Sequence, residues 1–272
     1  MKHDLPTLVL YHNDADGFGS AYALYKAGFV NATYQPIDYG YPFPDIAEDI
    51  KQIIIVDFSF PEDVCDRLDA EYELKVIDHH KTTKWLMSKS YGVYDTHYSG
   101  AVLTWNAFVR TRVPLILRYV QDRDLWKWEL ERSKEVNHGL EVVPRTFEAW
   151  DNIDINKVYA DGKAILADRL NSLIQIEQSM RIYDDAFGNK VGVVPSIVHQ
   201  SEIGNYLLSQ HPEINCAVVF YPKTVGGVDV FGISIRSRGD VDVSVIALQY
   251  GGGGHKAAAG FSVVTLDEYL KL

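Results

Sequence analysis

Cysteine is scarce in this chain of 272 residues, which contains only Cys65 and Cys216. Two isolated thiols give neither the spacing pattern of a disulfide framework nor that of a cysteine-rich zinc site, so the sequence does not indicate a disulfide-stapled domain or a zinc finger. We expect both cysteines to be buried free thiols in a protein of a reducing compartment.

Long apolar runs and excess positive charge are also missing. No run approaches the roughly 18 apolar residues of a membrane span, and the polar first residues do not resemble a signal peptide. We therefore expect a cytoplasmic protein without a membrane partner. The 26 Lys and Arg residues are outnumbered by 37 Asp and Glu, which gives a net charge of −11. Because this charge repels a polyanion, we expect short phosphorylated substrates rather than long duplex nucleic acid.

The first half of the sequence alternates short β-branched runs with amphipathic segments. Residues 8–11, 53–56 and 75–77 are typical of buried parallel strands, and residues 19–27 and 61–70 are typical of helices. This alternation predicts an α/β fold with a doubly wound, mainly parallel sheet. Ser99 suits the N-cap of a further helix that runs to about residue 110, and Pro114 suits the first turn of the next one.

Apolar residues recur at helical spacing from residue 161 to residue 187, which predicts a long helix that joins two domains. Beyond it, residues 216–221 and 229–235 flank Gly226-Gly227, a hairpin signal, and a helix is expected near residues 242–249. We therefore predict a catalytic domain over 1–150, a helical linker over 151–190 and a smaller α/β substrate-binding domain over 191–272.

Histidines and aspartates follow several of the apolar runs. They are His12, Asp14 and Asp16 after the first run, Asp57 after the second, Asp78, His79 and His80 after the third, and Asp122 after a later one. Because ligands bind at the carboxyl edge of open α/β sheets, we expect these side chains to meet there. An isolated strand-end aspartate is more often a cap or turn residue. Four segments with such groups at one edge favour metal binding.

Imidazole and carboxylate ligands suit Mn²⁺, Mg²⁺ or similar ions better than metals that prefer thiolates. Two such ions close together would activate a water molecule and stabilise an in-line phosphoryl displacement. The residues alone therefore indicate a two-metal hydrolase.

The motifs resemble those of the DHH phosphoesterase superfamily, in particular its nano-RNase and RecJ-like members. His12-Asn13-Asp14-Ala15-Asp16-Gly17, Asp57 and Asp78-His79-His80 are similar to its motifs I, II and III, and Asp122 is similar to the aspartate of motif IV. The run from Gly251 to Phe261 resembles the glycine-rich signature of the DHH-associated domain. The resemblance covers nearly the whole chain.

The resemblance implies specific roles. His12, Asp14 and Asp57 would hold one ion, and Asp16, Asp57, His79 and Asp122 the other, with Mn²⁺ as the expected metal and Mg²⁺ or Co²⁺ as alternatives. Asp124 is a rival to Asp122, which better matches the family pattern. Asp78 would orient neighbouring ligands, and His80 would face the scissile phosphate. The spacing of His12 and Asp14 is shorter than in some members, so the ligand set of the first ion is the least fixed.

The glycine run also has a physical interpretation, because consecutive glycines let backbone N–H groups approach an anion. A flexible loop is the alternative. Beside Arg236, phosphate binding by Gly252, Gly253, Gly254 and His255 becomes the favoured interpretation. Trp126 and Trp128 offer a stacking face for a base, although tryptophans near a helix end more often pack in a core or an interface.

The expected function is therefore a two-metal phosphoesterase acting on short oligonucleotides or small nucleotides, as a monomer or a homodimer. Hydrolysis of cyclic dinucleotides, phosphoadenosine phosphate, pyrophosphate or polyphosphate remains an alternative. A catalytically silent nucleotide-binding sensor is the alternative from a different class.

Overall fold

The computed structural model describes Met1, residues 3–38 and residues 43–270, and it divides into two compact units, Met1–Leu166 and Ala167–Leu272. The strands of the first unit are β1 (Thr7–His12), β2 (Thr33–Ile37), β3 (Gln52–Val56), β4 (Glu73–Asp78) and β5 (Gly92–Tyr94). Its helices are α1 (Ala15–Lys26), α2 (Glu62–Glu71), α3 (Gly100–Phe108), α4 (Leu115–Asp124), α5 (Ser133–Gly139) and α6 (Phe147–Asp151). Short 3₁₀ segments lie at Lys81–Ser88 and Leu140–Val142.

The sheet of the first unit is parallel, with the strand order β2-β1-β3-β4-β5. The predicted α/β fold is therefore confirmed. The chain leaves β1 towards β2 on one side and returns to β3 on the other, so the strand order reverses between β1 and β3. This reversal is the position at which open α/β sheets form a binding crevice at their carboxyl edge.

The central strands are buried on both faces, which explains why their sequences are continuous apolar runs. Alternate residues belong to separate clusters: Leu8, Leu10, Ile53, Ile55 and Val76 pack on one face, and Val9, Ile54, Val56 and Ile77 on the other. Helices α1, α3 and α4 contribute to a third cluster around Trp150. The carboxyl ends of β1, β3 and β4 are thereby held on a rigid, packed layer.

The boundary between the units lies within helix α7 (Ile155–Glu177). The predicted helix over 161–187 is wrong at both ends, because α7 begins earlier and stops ten residues sooner. Ile182 lies instead in β6 (Arg181–Asp184), which pairs with β7 (Lys190–Pro195). The turn between them is built by the Asp185 carboxylate, which accepts the N–H groups of Phe187 and Asn189, and by Gly188 at φ 85°. The division into 1–150, 151–190 and 191–272 remains a prediction.

The second unit contains a six-stranded sheet in the order β10-β11-β9-β8-β7-β6. Its remaining elements are α8 (Gln200–Gln210), β8 (Cys216–Val225), β9 (Val228–Ser237), α9 (Val243–Gln249), β10 (Gly253–His255), β11 (Ala258–Val263) and a 3₁₀ segment at Leu266–Glu268. The predicted hairpin is confirmed, because Gly226 and Gly227 form the two-residue turn with φ of 58° and 81°. The helix expected near residues 242–249 is α9, and Asp242 caps it.

Both cysteines are buried free thiols, as the sequence predicts. In the part of the chain that the structure describes, the helices lack the combination of length and apolar character needed to cross a bilayer.

Candidate active site

The junction of β1 and α1 carries three of the predicted metal ligands. His12 is the last residue of β1, Asp14 is the N-cap of α1, and Asp16 lies in the first helical turn. Asp14 accepts the N–H of Gly17 at 2.8 Å, and a Cβ on Gly17 would lie only 2.0 Å from the His12 carbonyl oxygen. Glycine therefore permits a turn tight enough to place His12 Nδ1 3.2 Å from Asp14 Oδ2.

Asp57 follows β3 in the left-handed backbone region, with φ of 56°. Aspartate tolerates this region better than most residues. Its N–H donates to the carbonyl of Ile77 at 2.9 Å, and its side chain is buried. A Cβ on Gly100, the first residue of α3, would lie 2.5 Å from the Cβ of Asp57. Helix α3 can therefore begin directly against this carboxylate only because a glycine occupies its first position.

The two carboxylate oxygens of Asp57 face different histidines. Its Oδ2 lies 3.7 Å from Nδ1 of His12, and its Oδ1 lies 3.1 Å from Nε2 of His79. A single carboxylate between two imidazoles has the arrangement that is needed to share two adjacent metal ions.

His79 brings carboxylates from three elements together. Besides Asp57, its Nε2 lies 3.7 Å from Oδ2 of Asp16 and 3.5 Å from Oδ2 of Asp124. Asp16 is fixed in turn, because its carboxylate accepts the N–H groups of Gly100 at 2.6 Å and of Ala101 at 3.1 Å. These N–H groups at the start of α3 have no partner within the helix, so a carboxylate satisfies them.

Asp78 contacts the two residues that follow it in the sequence, His79 and His80. Its Oδ1 accepts the backbone N–H groups of His79 at 2.7 Å and His80 at 3.2 Å, and it lies 2.7 Å from Nδ1 of His80. Asp78 is fully buried, whereas the side chain of His80 is about one third exposed. The contact fixes the orientation of the His80 ring.

The fold places Asp124, and not Asp122, beside His79. This corrects the preference for Asp122 that the family pattern suggested. Residues that are two positions apart on a helix, such as Asp122 and Asp124, point about 200° apart around its axis. Only one of these two side chains can therefore face the carboxyl edge of the sheet. The buried carboxylate of Asp122 instead accepts the N–H groups of Glu129 at 3.0 Å and Leu130 at 3.2 Å.

Three groups of side chains present ligand atoms that lie within 4.8 Å of one another. They are His12, Asp14 and Asp57; Asp16, His79 and Asp124; and Asp57, Asp78, His79 and His80. Among the described residues, Asp122 belongs to none of these groups. The donors are carboxylate oxygens and imidazole nitrogens, which fit Mn²⁺ or a similar ion. The sequence-predicted ligands other than Asp122 are therefore brought together.

The carboxylates of this cluster repel one another. Burial raises the pKa of Asp57 well above its usual range, and the charge of Asp16 raises it further. Burial and the charge of Asp16 also raise the pKa of Asp124 to about 8. The hydrogen bonds to Asp14 and Asp57 raise the pKa of His12 to about 10. A cluster that holds protons or positive charge so strongly is suited to bind cations.

We predict that the metal-free protein loses stability as the pH rises from about 4 to about 8. Asp57 and Asp124 keep protons in the folded state that they lose in the unfolded chain, so folding becomes less favourable across this interval. The raised pKa of His12 acts in the same direction above its ordinary value of 6.5. Thermal unfolding of metal-stripped protein and of protein with Mn²⁺ should show a difference in Tm that widens with pH. A constant difference would contradict this prediction.

A cavity of about 260 Å³ adjoins the cluster. Its lining residues include the carboxylates Asp14, Asp16 and Asp124 and the arginines Arg123 and Arg145. Arg145 donates to the carbonyl oxygen of Asn13 at 3.0 Å, which holds it near the β1–α1 junction. Neither arginine was assigned a role from the sequence: Arg123 lies between the two candidate aspartates of motif IV, and Arg145 lies outside the motifs and the predicted strands.

In the second unit, Arg236 and His255 occupy one row of the sheet. His255 pairs with Ala258, and Ala258 pairs with Arg236 on the next strand. Directly paired residues project to the same face, so the two basic side chains share a face roughly 10 Å apart. Arg236 donates to Ser201 at the start of α8, and a Cβ on Gly204 would lie 2.7 Å from the Arg236 Cγ.

The glycine run is partly a strand, and not only a loop. Gly253, Gly254 and His255 form β10, which pairs with β11. A Cβ on Gly252 would lie 2.1 Å from the carbonyl oxygen of Gly260, and one on Gly254 would lie 2.5 Å from that of Ala258. Close pairing of this hairpin therefore requires glycine at both positions, whatever they bind.

Comparisons with known proteins agree with this architecture. A family model described as the DHHA1 domain matches residues 188–272. The oligoribonuclease NrnB of Bacillus subtilis (strain 168) is 26% identical over an alignment of 307 positions, which covers 96% of this chain and 73% of that protein.

Two solved structures share the fold at low sequence identity. The pGpG-specific phosphodiesterase PggH of Vibrio cholerae is 16% identical with a TM-score of 0.59, over 97% of this chain and 95% of that one. RecJ of Thermus thermophilus in complex with Mn²⁺ is 16% identical with a TM-score of 0.53, over 95% of this chain and 49% of that one. The matched C-terminal domain, the similarity to an oligoribonuclease and the shared fold therefore support the resemblance to the DHH phosphoesterase superfamily that the motifs indicate.

Proposed function

We propose that this protein is a phosphoesterase that uses two divalent metal ions to hydrolyse phosphodiester or terminal phosphate bonds of short oligonucleotides or small nucleotides. The observation that carries the proposal is Asp57, whose two oxygens face His12 and His79. The similarity to an oligoribonuclease, and the fold shared with a phosphodiesterase, support the choice of substrate class.

His12, Asp14 and Asp57 would hold one ion, and Asp16, Asp57, His79 and Asp124 would hold the other. Mn²⁺ is the proposed ion, with Mg²⁺ and Co²⁺ as alternatives. When bound, two such ions supply an activated water molecule and neutralise charge that develops on the scissile phosphate.

His80 is proposed to act on the substrate. Its Nδ1 lies 2.7 Å from Oδ1 of Asp78, and this contact orients the ring. An imidazole held at the carboxyl edge of the sheet would stabilise charge on the phosphate or give a proton to the leaving oxygen. Asp78 is then a positioning residue, because its contacts are with His79 and His80.

Residues of the second unit are proposed to anchor a terminal phosphate of the substrate. Arg236 presents a guanidinium on the same sheet face as His255, and a guanidinium binds phosphate through two hydrogen bonds. Gly252, Gly253 and Gly254 would add backbone N–H groups next to this row.

We predict that Arg236→Lys and His255→Ala each raise KM for 5′-phosphorylated dinucleotides, by about tenfold if one charge-assisted bond is lost. The kcat should change little, because these residues bind a part of the substrate that does not react. Steady-state kinetics with 5′-phosphorylated and 5′-hydroxyl dinucleotides measures the effect. Arg181→Ala is the control, because Arg181 is an exposed arginine of the same unit. Equal KM values for wild type and both variants would remove the anchor role.

The remaining assignments are also proposals. Residues 1–150 would form the catalytic domain, 151–190 the helical linker and 191–272 the substrate-binding domain. The protein would act in the cytoplasm on short nucleic acids and not on long duplexes, as a monomer or a homodimer.

A substrate panel tests the function directly. It contains a 5′-phosphorylated diadenylate, phosphoadenosine phosphate, cyclic dinucleotides, pyrophosphate and single-stranded oligomers, each with Mn²⁺. We expect fastest turnover of the linear dinucleotide. Turnover of pyrophosphate alone would contradict the proposed substrate class, and nucleotide binding without turnover would identify a silent sensor.

A further inference from the structure

The loop after α4, residues 125–130, holds two tryptophans in an unusual backbone conformation. Trp126 and Trp128 both lie in the left-handed region, with φ of 55° and 56°. For bulky residues this region is rarely occupied and costs on the order of 1–3 kcal/mol each. We call residues 125–130 the tryptophan loop.

Asp122 holds the tryptophan loop in this conformation. Its carbonyl accepts the N–H groups of Lys127 at 2.9 Å and Trp128 at 3.3 Å. Its buried carboxylate accepts those of Glu129 and Leu130. Four hydrogen bonds to one residue therefore fix the backbone on both sides of Trp128 and present Trp126 at the surface.

Trp126 is 64% exposed, so it is not a core residue. Its ring meets that of Trp128 edge to face at 5.2 Å between centroids, and the Nζ of Lys134 lies 5.9 Å from the Trp128 ring centre. Trp128 thus supports Trp126 from one side. Strain and an exposed indole together have no benefit for folding, and such strain concentrates where a protein binds a ligand.

The position of Trp126 connects it with the candidate metal site. It follows Asp124 by two residues, so its Cα lies within about 7 Å of the Asp124 Cα. The Asp124 carboxylate is 3.5 Å from His79 in the ligand cluster. An exposed indole at this distance is within reach of a base whose phosphate lies at the cluster.

We propose that Trp126 stacks on an unpaired nucleobase next to the scissile phosphate, and that Asp122 positions it by holding the tryptophan loop. The inference rests on the proposed function and extends it. Stacking accepts every base, since each has a flat π face, so this contact selects nucleotide esters over other phosphoesters without selecting a sequence.

The experiment compares two uncleavable ligands, in which a methylene group replaces the scissile oxygen of a 5′-phosphorylated diadenylate. One ligand carries both adenines, and the other lacks both bases. Calorimetric titration in Mn²⁺ gives Kd for wild type, Trp126→Ala and Trp126→Phe. Loss of one stacked base should raise Kd at least about fivefold for Trp126→Ala with the adenine ligand, and less for Trp126→Phe. The Kd for the abasic ligand should be the same in all three proteins.

Leu115→Ala is the matched control, because Leu115 is an exposed apolar residue at the opposite end of α4, and its Kd should equal that of wild type. An unchanged Kd in Trp126→Ala, or an equal rise for both ligands, would overturn the inference. So would a change in oligomeric state without a change in Kd, which would assign Trp126 to self-association. Hydrolysis of diadenylate by the wild-type protein is measured in parallel. Absence of hydrolysis would contradict the proposed function, whereas the comparison of Kd values tests only whether Trp126 stacks on a base.

Discussion

Replacing Asp57 with asparagine is expected to reduce Mn²⁺-dependent hydrolysis of a dinucleotide by at least about a thousandfold. One oxygen of Asp57 faces His12 and the other faces His79, so a neutral amide would weaken both proposed metal positions together. Asp57→Ala and His79→Ala should have effects of similar size. The measurements are kcat with a 5′-phosphorylated diadenylate and the number of Mn²⁺ ions bound per chain.

The asparagine variant separates loss of function from loss of fold. Asparagine has nearly the same shape as aspartate and tolerates the left-handed backbone that Asp57 adopts at φ 56°. Burial and Asp16 raise the pKa of Asp57, so folding at neutral pH carries the cost of protonating this carboxyl or of burying its charge. Asparagine removes that cost and should stabilise the metal-free protein at neutral pH. We therefore expect a higher Tm in EDTA together with lost activity. Near-normal turnover in this variant would contradict the two-metal assignment.

Asp124→Asn is expected to lower kcat by at least about a hundredfold and to reduce the bound metal, whereas Asp122→Asn should keep kcat within about tenfold of wild type. The reason is the different environment of the two side chains. Asp124 lies 3.5 Å from His79 among the ligand groups, but the carboxylate of Asp122 is engaged by the N–H groups of Glu129 and Leu130.

Asp122→Asn should show its effect in the tryptophan loop instead. One of two hydrogen-bond acceptors becomes a donor, so we expect a lower Tm and weaker binding of base-containing ligands with the metal content retained. Metal analysis and kinetics on both variants decide between the two aspartates. If Asp122→Asn lost bound metal and Asp124→Asn kept it, Asp122 would be the metal ligand, as the family motif suggested.

The position of the site at the sheet edge could be predicted from the sequence because it depends on local patterns. Buried parallel strands are recognisable as apolar runs, and the groups that follow them, such as His12 and Asp57, necessarily reach the same edge. The choice between Asp122 and Asp124 depends on the rotation of α4 about its axis. That rotation is set by tertiary packing of residues such as Leu117 and Val120, which a motif does not contain.

Two further differences also arise from contacts distant in sequence. The helix predicted over 161–187 continued through apolar residues that instead belong to β6, because strand pairing with β7 overrides the helical periodicity there. The glycine run was interpreted as a ligand loop, but Gly254 also faces the backbone of Ala258 in a paired strand. Arg145 escaped detection because it approaches the site from a loop without any sequence signal.

The most direct test of the central claim is the hydrolysis of 5′-phosphorylated diadenylate by metal-stripped wild-type protein, before and after Mn²⁺ is added back. The account predicts intact dinucleotide in EDTA, and conversion to mononucleotides when Mn²⁺ occupies the positions around Asp57. Conversion at the same rate in EDTA, or no conversion with Mn²⁺, Mg²⁺ or Co²⁺, would contradict it.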